Sequence, residues 1–109
     1  MRMWNINSEL LCNKHLLGEH FEIHCAVGNL GHSGKWTKAL AKKGYLEPQN
    51  FLFRHNELVK EMITRGFKHN SPLSVRGIKL PIGRIDTKKS IRDLKERCID
   101  CRKKIKGKI

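Results

Sequence analysis

Apolar residues in the first third of the chain recur at the spacing of an α-helix, within the stretch ELLCNKHLLGEHFEIHCAV. This spacing is typical of a helix that turns one stripe of side chains toward a hydrophobic core. The residues of the predicted stripe are Leu10, Leu17, Phe21 and Cys25. Asn7 or Ser8 can cap the first turn, because a short polar side chain accepts hydrogen bonds from the free amides there. We therefore predict a first helix from Asn7 or Ser8 to about Gly28.

A second face of this helix contains side chains of the types that act in catalysis or bind metals. They follow one another at steps of three and four and are Cys12, His15, Glu19 and Glu22. Gly18 interrupts the helix between them, and glycine in a helix interior costs about 1 kcal/mol relative to alanine. Its presence indicates the close approach of another backbone or of a ligand.

Two more amphipathic segments follow. WTKALAKKGYL predicts a short helix that ends at Gly44. EPQNFLFRHNELVKEMITRGF predicts a longer helix that Gly66 closes, with Phe67 packing back against it. The apolar positions of the longer helix are Phe51, Leu58, Met62 or Val59, and Ile63.

The last part of the chain changes from irregular to strongly basic. Residues 68–87 combine Pro, Gly and isolated apolar residues, which predicts a long connection with at most a short hairpin. TKKSIRDLKERCIDCRKKI predicts one basic helix that begins near Thr87 or Ser90. The pattern as a whole predicts an all-α, compact single-domain fold over residues 1–109, with long irregular connections and a basic C-terminal helix.

The charge of the chain restricts its partners. Lys and Arg total 23 against 10 Asp and Glu, a formal net charge of +13 over 109 residues. A surface of this kind attracts polyanions, so we expect nucleic-acid binding, although a solvated or ribosome-associated basic surface is the alternative. There is no apolar run of the ~18 residues that span a membrane, and the first residues do not resemble a signal peptide. We therefore expect an intracellular monomer, in the cytoplasm, the nucleoid or a virus-infected host cell, without a membrane partner.

The cysteines suggest a metal site as a second hypothesis. The chain contains Cys12, Cys25, Cys98 and Cys101. In a reducing compartment such cysteines are thiols or metal ligands more often than disulfides. The last two are separated by two residues, as in a zinc pair, and Cys12 and His15 share that separation, so a structural zinc ion can join the tail to the first helix. A rival set uses His20 and His24. Packing of the cysteines as small apolar side chains is the alternative without metal.

Three stretches also form a recognisable pattern. The chain opens with MR, continues with SELLCNKHLLGEHFE, and later carries RHNELVKEMITRGF. The second stretch resembles the helix SEL-x-H-L-x-x-E-x-x-E, and the third resembles R-x-x-E-L-x-x-E-x-x-x-R-G-F, of the pyrimidine dimer DNA glycosylases, small phage repair enzymes also called endonuclease V. The resemblance covers about residues 1–70 and leaves residues 71–109, with the CIDC tail, outside it.

The resemblance implies a DNA glycosylase with abasic-site lyase activity. In this family the α-amine of the first residue attacks deoxyribose C1′, expels the base and forms an imine, after which β-elimination cuts the strand. Glu22 matches the family's catalytic glutamate, Arg2 the arginine after the nucleophile, and His15 the histidine of the first helix. The implied partner is double-stranded DNA with a damaged base, such as a pyrimidine dimer, or an abasic site. No cofactor is required for this chemistry.

The chemistry of an α-amine supports Met1 as the nucleophile. The pKa of an α-amine is about 7.7 to 8.0, against about 10.4 for lysine, so a useful fraction is neutral near pH 7. The large side chain of Arg2 should prevent removal of Met1. Glu22 would act as the acid and base that moves protons. The alternative for Glu22 is a solvated helix carboxylate paired with a cation.

The sequence also departs from the family. Phe21 and Cys25 occupy two positions that are basic in the family, and the family's aromatic, basic C-terminal tail is absent, which puts dimer specificity in question. Other cations must then contact phosphate, and the candidates are Lys35, Lys38, Lys42, Lys43, Arg54, Arg65, Lys68 and Arg76. Trp36 is the candidate for stacking on an extrahelical base, whereas Trp4 is expected in the core. The alternative function is a non-catalytic basic nucleic-acid-binding module, with or without a zinc staple.

Overall fold

The fold is entirely helical over the part of the chain that the structure describes. The structure is a computed structural model that describes residues 2–108, without the side chain of Lys108. The helices are α1 (Asn13–Leu30), α2 (Lys35–Lys42), α3 (Phe51–Thr64), α4 (Thr87–Arg97) and α5 (Ile99–Lys108), with short 3-10 helices at Ser8–Leu10 and Pro48–Asn50. The predicted all-α class is confirmed. Among the described residues, no helix combines the length and the hydropathy needed to cross a membrane.

Helix α1 is the central element. It packs against α2 and α3, and the 3-10 turn before it contacts both α3 and α5. The buried apolar residues of α1 and α3 are Leu16, Ile23, Ala26, Val27, Phe51, Leu58 and Met62. Trp4 is also buried, as predicted. The core therefore lies along α1, which places the buried face of this helix against the neighbouring segments.

The predicted core stripe of α1 is correct only in part, since Leu10 and Leu17 pack against the core but Phe21 does not. Phe21 is 66% exposed, and Leu17 is only partly buried, whereas Glu19 is 1% exposed. Apolar residues occur on more than one side of α1, so periodicity alone did not identify the buried face. The helix also starts later than predicted, at Asn13, because the chain first makes the separate 3-10 turn.

The end of α3 follows the predicted pattern. Gly66 has a φ of +90°, a left-handed conformation that glycine adopts without steric cost. The Phe67 amide donates to the Met62 carbonyl oxygen at 2.9 Å, which closes the last turn, and Phe67 packs partly buried against the core. Ile63, in contrast, is 59% exposed and does not belong to the apolar face.

The C-terminal segment forms two helices instead of the single helix predicted. Asp86 caps α4 by accepting from the amides of Lys88 and Lys89. Cys98 then adopts an extended conformation, with φ −132° and ψ 113°, which separates α4 from α5. The connection before Asp86 is irregular as predicted, and the hairpin allowed there does not form.

Gly83 holds this connection against the loop that follows α2. A Cβ on Gly83 would overlap the Leu46 carbonyl oxygen and lie 3.1 Å from the Ala41 Cβ. Gln49 fixes the same backbone by accepting from the Gly83 amide at 3.0 Å and donating to its carbonyl at 2.7 Å. We expect Gly83→Ala to lower the free energy of unfolding in urea by about 1 to 3 kcal/mol, because the added methyl group cannot be accommodated.

Gly28 provides the matched control for Gly83. It is exposed in α1, and a Cβ there would have no neighbour within 4 Å. Since alanine is the better helix former, Gly28→Ala should leave stability unchanged or raise it by up to about 1 kcal/mol. Equal unfolding free energies for the two alanine variants would contradict this account of Gly83.

Candidate active site

Two carboxylates of α1 hold the extended N-terminal segment. The Arg2 amide donates to Glu22 Oε2 at 2.9 Å, and the Trp4 amide donates to Glu19 Oε1 at 3.1 Å. Residues 2 and 4 of an extended chain point their amides in the same direction, and Glu19 and Glu22 lie one turn apart on one helix face. The other side of the segment is held where the Met3 amide donates to the Tyr45 carbonyl at 2.8 Å.

Glu19 has a buried arginine as its partner. Arg54 Nε donates to Glu19 Oε2, and Arg54 Nη2 donates to Glu19 Oε1 at 2.9 Å. Arg54 Nη1 also donates to the Ile6 carbonyl at 2.6 Å. Burial acts to lower the pKa of Arg54, but the hydrogen bonds and charges of Glu19 and Glu57 raise it overall. Arg54 was predicted to contact phosphate. It is 1% exposed and each of its three guanidinium nitrogens donates to a group of the protein, so it is not placed to contact DNA.

A pocket of about 320 Å³ opens beside these carboxylates. It is lined by Arg2, Trp4, Lys14, His15, Gly18, Glu19, Glu22 and Arg97. A Cβ on Gly18 would have no neighbour within 4 Å, so the glycine does not accommodate another backbone and instead leaves space at the pocket. This volume lies at the lower end of the range for small-ligand sites, and three cations and two carboxylates surround it.

Arg2 connects the chain start with α4. Its Nη1 lies 2.9 Å from Asp93 Oδ2, and its guanidinium carbon lies 4.3 Å from the centre of the Trp4 ring and 5.5 Å from that of Tyr45. The hydrogen bond from Arg2 lowers the pKa of Asp93. Met1, the predicted nucleophile, lies outside the described residues.

A comparison with known protein families identifies the family of this chain. The family model described as pyrimidine dimer DNA glycosylase matches residues 1–75. The chain belongs to this family. Comparison with curated proteins and with solved structures found no match. Glycosylase family membership identifies DNA as the substrate. The match includes Glu19, Glu22 and Arg54 and ends before α4, so Arg97 of the pocket lining and Asp93, which pairs with Arg2, both lie outside it.

The other residues predicted to bind DNA differ in their exposure and in their partners in this glycosylase. Lys35 and Trp36 begin α2, and both are exposed. Arg65 is largely occupied, because it donates to Glu61 Oε2 at 3.1 Å, to Asn13 Oδ1 at 3.1 Å and to the Ser8 carbonyl at 3.2 Å. Arg65 therefore ties the end of α3 to the start of α1.

The predicted cysteine and histidine set does come together in the glycosylase. We name Cys12, His15, Cys98 and Cys101 the Cys3His cluster, and their ligand atoms all lie within 4.8 Å of one another. His15 Nδ1 lies 3.2 Å from Cys12 Sγ and 3.5 Å from Cys101 Sγ, so this histidine faces the cluster and also lines the pocket. Burial raises the pKa of the Cys101 thiol to about 12.

A second cluster contains the alternative pair of predicted metal ligands, His20 and His24, together with two histidines that the sequence did not indicate. We name His20, His24, His55 and His69 the four-histidine cluster, and their ring nitrogens also lie within 4.8 Å of one another. Burial, followed by the neighbouring histidines, lowers the pKa of His20 to about 4. Burial likewise lowers the pKa of His24. The spacing of His20 and His24 was the available signal, but their partners come from α3 and the connection after it.

Proposed function

We propose that this chain is a DNA glycosylase with abasic-site lyase activity that acts on double-stranded DNA containing a damaged base, such as a pyrimidine dimer. The observation that carries the proposal is the 2.9 Å hydrogen bond from the Arg2 amide to Glu22 Oε2. It holds a carboxylate of α1 against the chain start, at the edge of a pocket, in a member of a glycosylase family.

The proposed nucleophile is the α-amine of Met1. In a mature protein that begins at Met1, this amine is tethered within one residue of the Arg2 amide, and consecutive Cα atoms are about 3.8 Å apart. Because Glu22 accepts from the amide of the next residue, Arg2, we assign Glu22 as the carboxylate that serves this amine. The reaction requires a free amine, without a formyl or acetyl group, since only a neutral amine is nucleophilic.

The proposed reaction assigns Glu22 two proton transfers. The amine nitrogen bonds to deoxyribose C1′ as the bond from C1′ to the base breaks, and the base leaves with the bonding electrons and takes up a proton. Glu22 transfers one proton from the bonded amine to the ring oxygen O4′ as the C1′–O4′ bond breaks, which opens the sugar, leaves a protonated imine at C1′ and returns Glu22 to its carboxylate form. Glu22 then removes a proton from C2′, the C3′–O bond breaks, and the 3′ phosphate leaves. This final step cuts the strand.

The proposed DNA contacts come from several elements. Arg2 and His15 line the pocket, and Lys14 and Arg97 add positive charge to it. Arg2 is paired with Asp93, so a DNA phosphate would compete with that carboxylate for the guanidinium. Lys35 can contact the phosphate backbone and Trp36, which is 45% exposed, can stack on a base. Arg65 contributes mainly by fixing α3 to the N-terminal turn.

Borohydride trapping tests this proposal directly. Reduction of the imine should covalently join the protein to DNA that contains an abasic site, and to ultraviolet-irradiated DNA, in a salt-sensitive reaction. Peptide mass spectrometry should locate the modification on the Met1 amine. Binding to the same DNA without any adduct would refute the enzyme and favour the non-catalytic nucleic-acid-binding module.

Extension of the chain start provides a second test of the nucleophile. One additional residue before Met1 replaces its amine by an amide and moves the new amine away from Glu22, so trapping and strand cleavage should fall to background. Addition of the same residue after Ile109 is the matched control and should retain both activities. Full cleavage by the N-terminally extended protein would show that another group is the nucleophile.

A further inference from the structure

We propose that this chain binds two zinc ions, one in the Cys3His cluster and one in the four-histidine cluster, and that these ions fasten residues 68–108 to α1 and α3. Neither ion takes part in the proposed reaction. Each site has four candidate ligands, which is the usual number for a structural zinc site without an open position.

The distances in the Cys3His cluster match those of a zinc tetrahedron. Zn–S bonds of about 2.3 Å and Zn–N bonds of about 2.0 to 2.1 Å place two sulfurs about 3.8 Å apart, and a sulfur and a nitrogen about 3.6 Å apart. The Cys12 and Cys98 sulfurs are 3.8 Å apart, and His15 Nδ1 lies 3.2 and 3.5 Å from the Cys12 and Cys101 sulfurs. A disulfide would bring two sulfurs to about 2.05 Å, and all four cysteines of the chain are free.

Helix N-termini and backbone amides face the sulfurs of the Cys3His cluster. Cys12 is the N-cap of α1, and Cys98 directly precedes α5, so the positive ends of two helix dipoles meet there. The Cys12 amide donates to Cys101 Sγ at 3.3 Å, and the Cys101 amide donates to Cys98 Sγ at 3.4 Å. Amide donors of this kind stabilise the sulfur ligands of a metal.

Hydrogen bonds alone cannot account for all the short contacts between the ring nitrogens of the four-histidine cluster. The Nε2 atom of His20 lies 3.1 Å from that of His55 and 3.0 Å from that of His69, and the Nε2 atoms of His24 and His55 are 3.1 Å apart. One ring nitrogen has either a proton or a lone pair, so four nitrogens make at most two full hydrogen bonds among these three contacts. A single cation at their centre accepts all four lone pairs.

The geometry of the four-histidine cluster also fits a metal. Zn–N bonds of about 2.0 to 2.1 Å in a tetrahedron separate the nitrogens by about 3.3 Å, close to the observed 3.0 to 3.1 Å. His55 Nδ1 lies 3.0 Å from Asn56 Oδ1. Donation to that oxygen places the proton on Nδ1 and leaves the Nε2 lone pair for the metal. The Ser71 carbonyl, 3.2 Å from His55 Nε2, lies beside the same site.

The two sites join two later segments of the chain to its first helices. His69 belongs to the irregular connection, whereas Cys98 and Cys101 follow α4. The tail they fasten brings Arg97 to the pocket and Asp93 to Arg2. Loss of zinc from the Cys3His cluster should therefore loosen the pocket wall that comes from outside the family match.

The test begins with the full chain, produced without a polyhistidine tag in zinc-supplemented medium. Elemental analysis should find two zinc ions per chain, and a thiol-specific mercurial should release one of them while the other requires a strong chelator. Cobalt substitution should give a thiolate-to-cobalt absorption band from one site only. Less than one zinc per chain, with no change in melting temperature or in proteolysis of residues 68–108 after chelation, would overturn both sites.

Variants assign each ion to its site. Cys101→Ser should lose one zinc together with the thiolate band, and His69→Ala should lose one zinc and retain the band. Cys25 and His32 lie outside both clusters, so Cys25→Ser and His32→Ala are matched controls that should retain two ions. Where a cluster variant does not fold, the mercurial and cobalt results on the wild-type chain decide. A mercurial that releases no zinc overturns the Cys3His site, and a chain with only one, mercurial-released ion overturns the four-histidine site.

Discussion

Glu22→Gln should reduce strand cleavage at abasic sites by about 10²- to 10⁴-fold, the range that a general acid or base contributes. A glutamine side chain cannot take the proton from the amine or from C2′ at neutral pH. Its amide oxygen can still accept from the Arg2 amide, as Glu22 Oε2 does at 2.9 Å. The N-terminal segment should therefore keep its position, and affinity for the same DNA should remain within a few-fold of the wild type.

The experiment measures single-turnover cleavage and DNA affinity side by side. Glu96→Gln is the matched control, because Glu96 is an exposed glutamate of α4 that does not line the pocket. This control should cleave at the wild-type rate. Cleavage by Glu22→Gln at the same rate would remove Glu22 from the reaction, and parallel losses of cleavage and affinity would indicate a role in binding alone.

Arg54→Met should lower the free energy of unfolding by about 3 to 5 kcal/mol, the usual cost of removing one partner of a buried ion pair. The substitution leaves the Glu19 carboxylate inside the protein without its cation, since Glu19 and Arg54 are each 1% exposed. Addition of Glu19→Gln should restore part of the loss, because a neutral amide still accepts from the Trp4 amide. Urea unfolding followed by circular dichroism measures both effects.

The control for Arg54 is an arginine at the surface. Arg76 is exposed, and Arg76→Met should change the unfolding free energy by no more than about 0.5 kcal/mol. If Arg54→Met behaves like Arg76→Met, the buried ion pair does not stabilise the fold. If the double variant is less stable than Arg54→Met alone, the unpaired Glu19 charge is not the cause of the loss.

The sequence predicted the helical class and the chain turns that depend on local chemistry. Gly66 and Phe67 ended α3 as expected, since a glycine with positive φ followed by an apolar residue is a local signal. Glu19 was predicted to lie on the helix face that carries the reactive side chains. It is instead buried in an ion pair with Arg54, a partner that lies 35 residues later in the chain. Periodicity within one helix contains no information about such a distant partner.

The candidate site was likewise predicted only in part from the sequence. The position of Glu22 near the chain start followed from the motif, and the geometry now places its carboxylate against the Arg2 amide. The family match ends at residue 75, so the contributions of Asp93 and Arg97 depended on how the tail folds back. His55 and His69 were missed for a similar reason, since only His20 and His24 share a helix.

The ion pair between Arg2 and Asp93 has a consequence for the order of events on the ribosome. Residues 1–75 emerge first, and α1, α2 and α3 can pack as soon as they leave the exit tunnel. The pocket, however, is still open on one side at that point, because Arg97, which lines it, and Asp93, which pairs with Arg2, are still inside the tunnel. A nascent chain therefore contains the residues that match the family before it possesses a finished pocket.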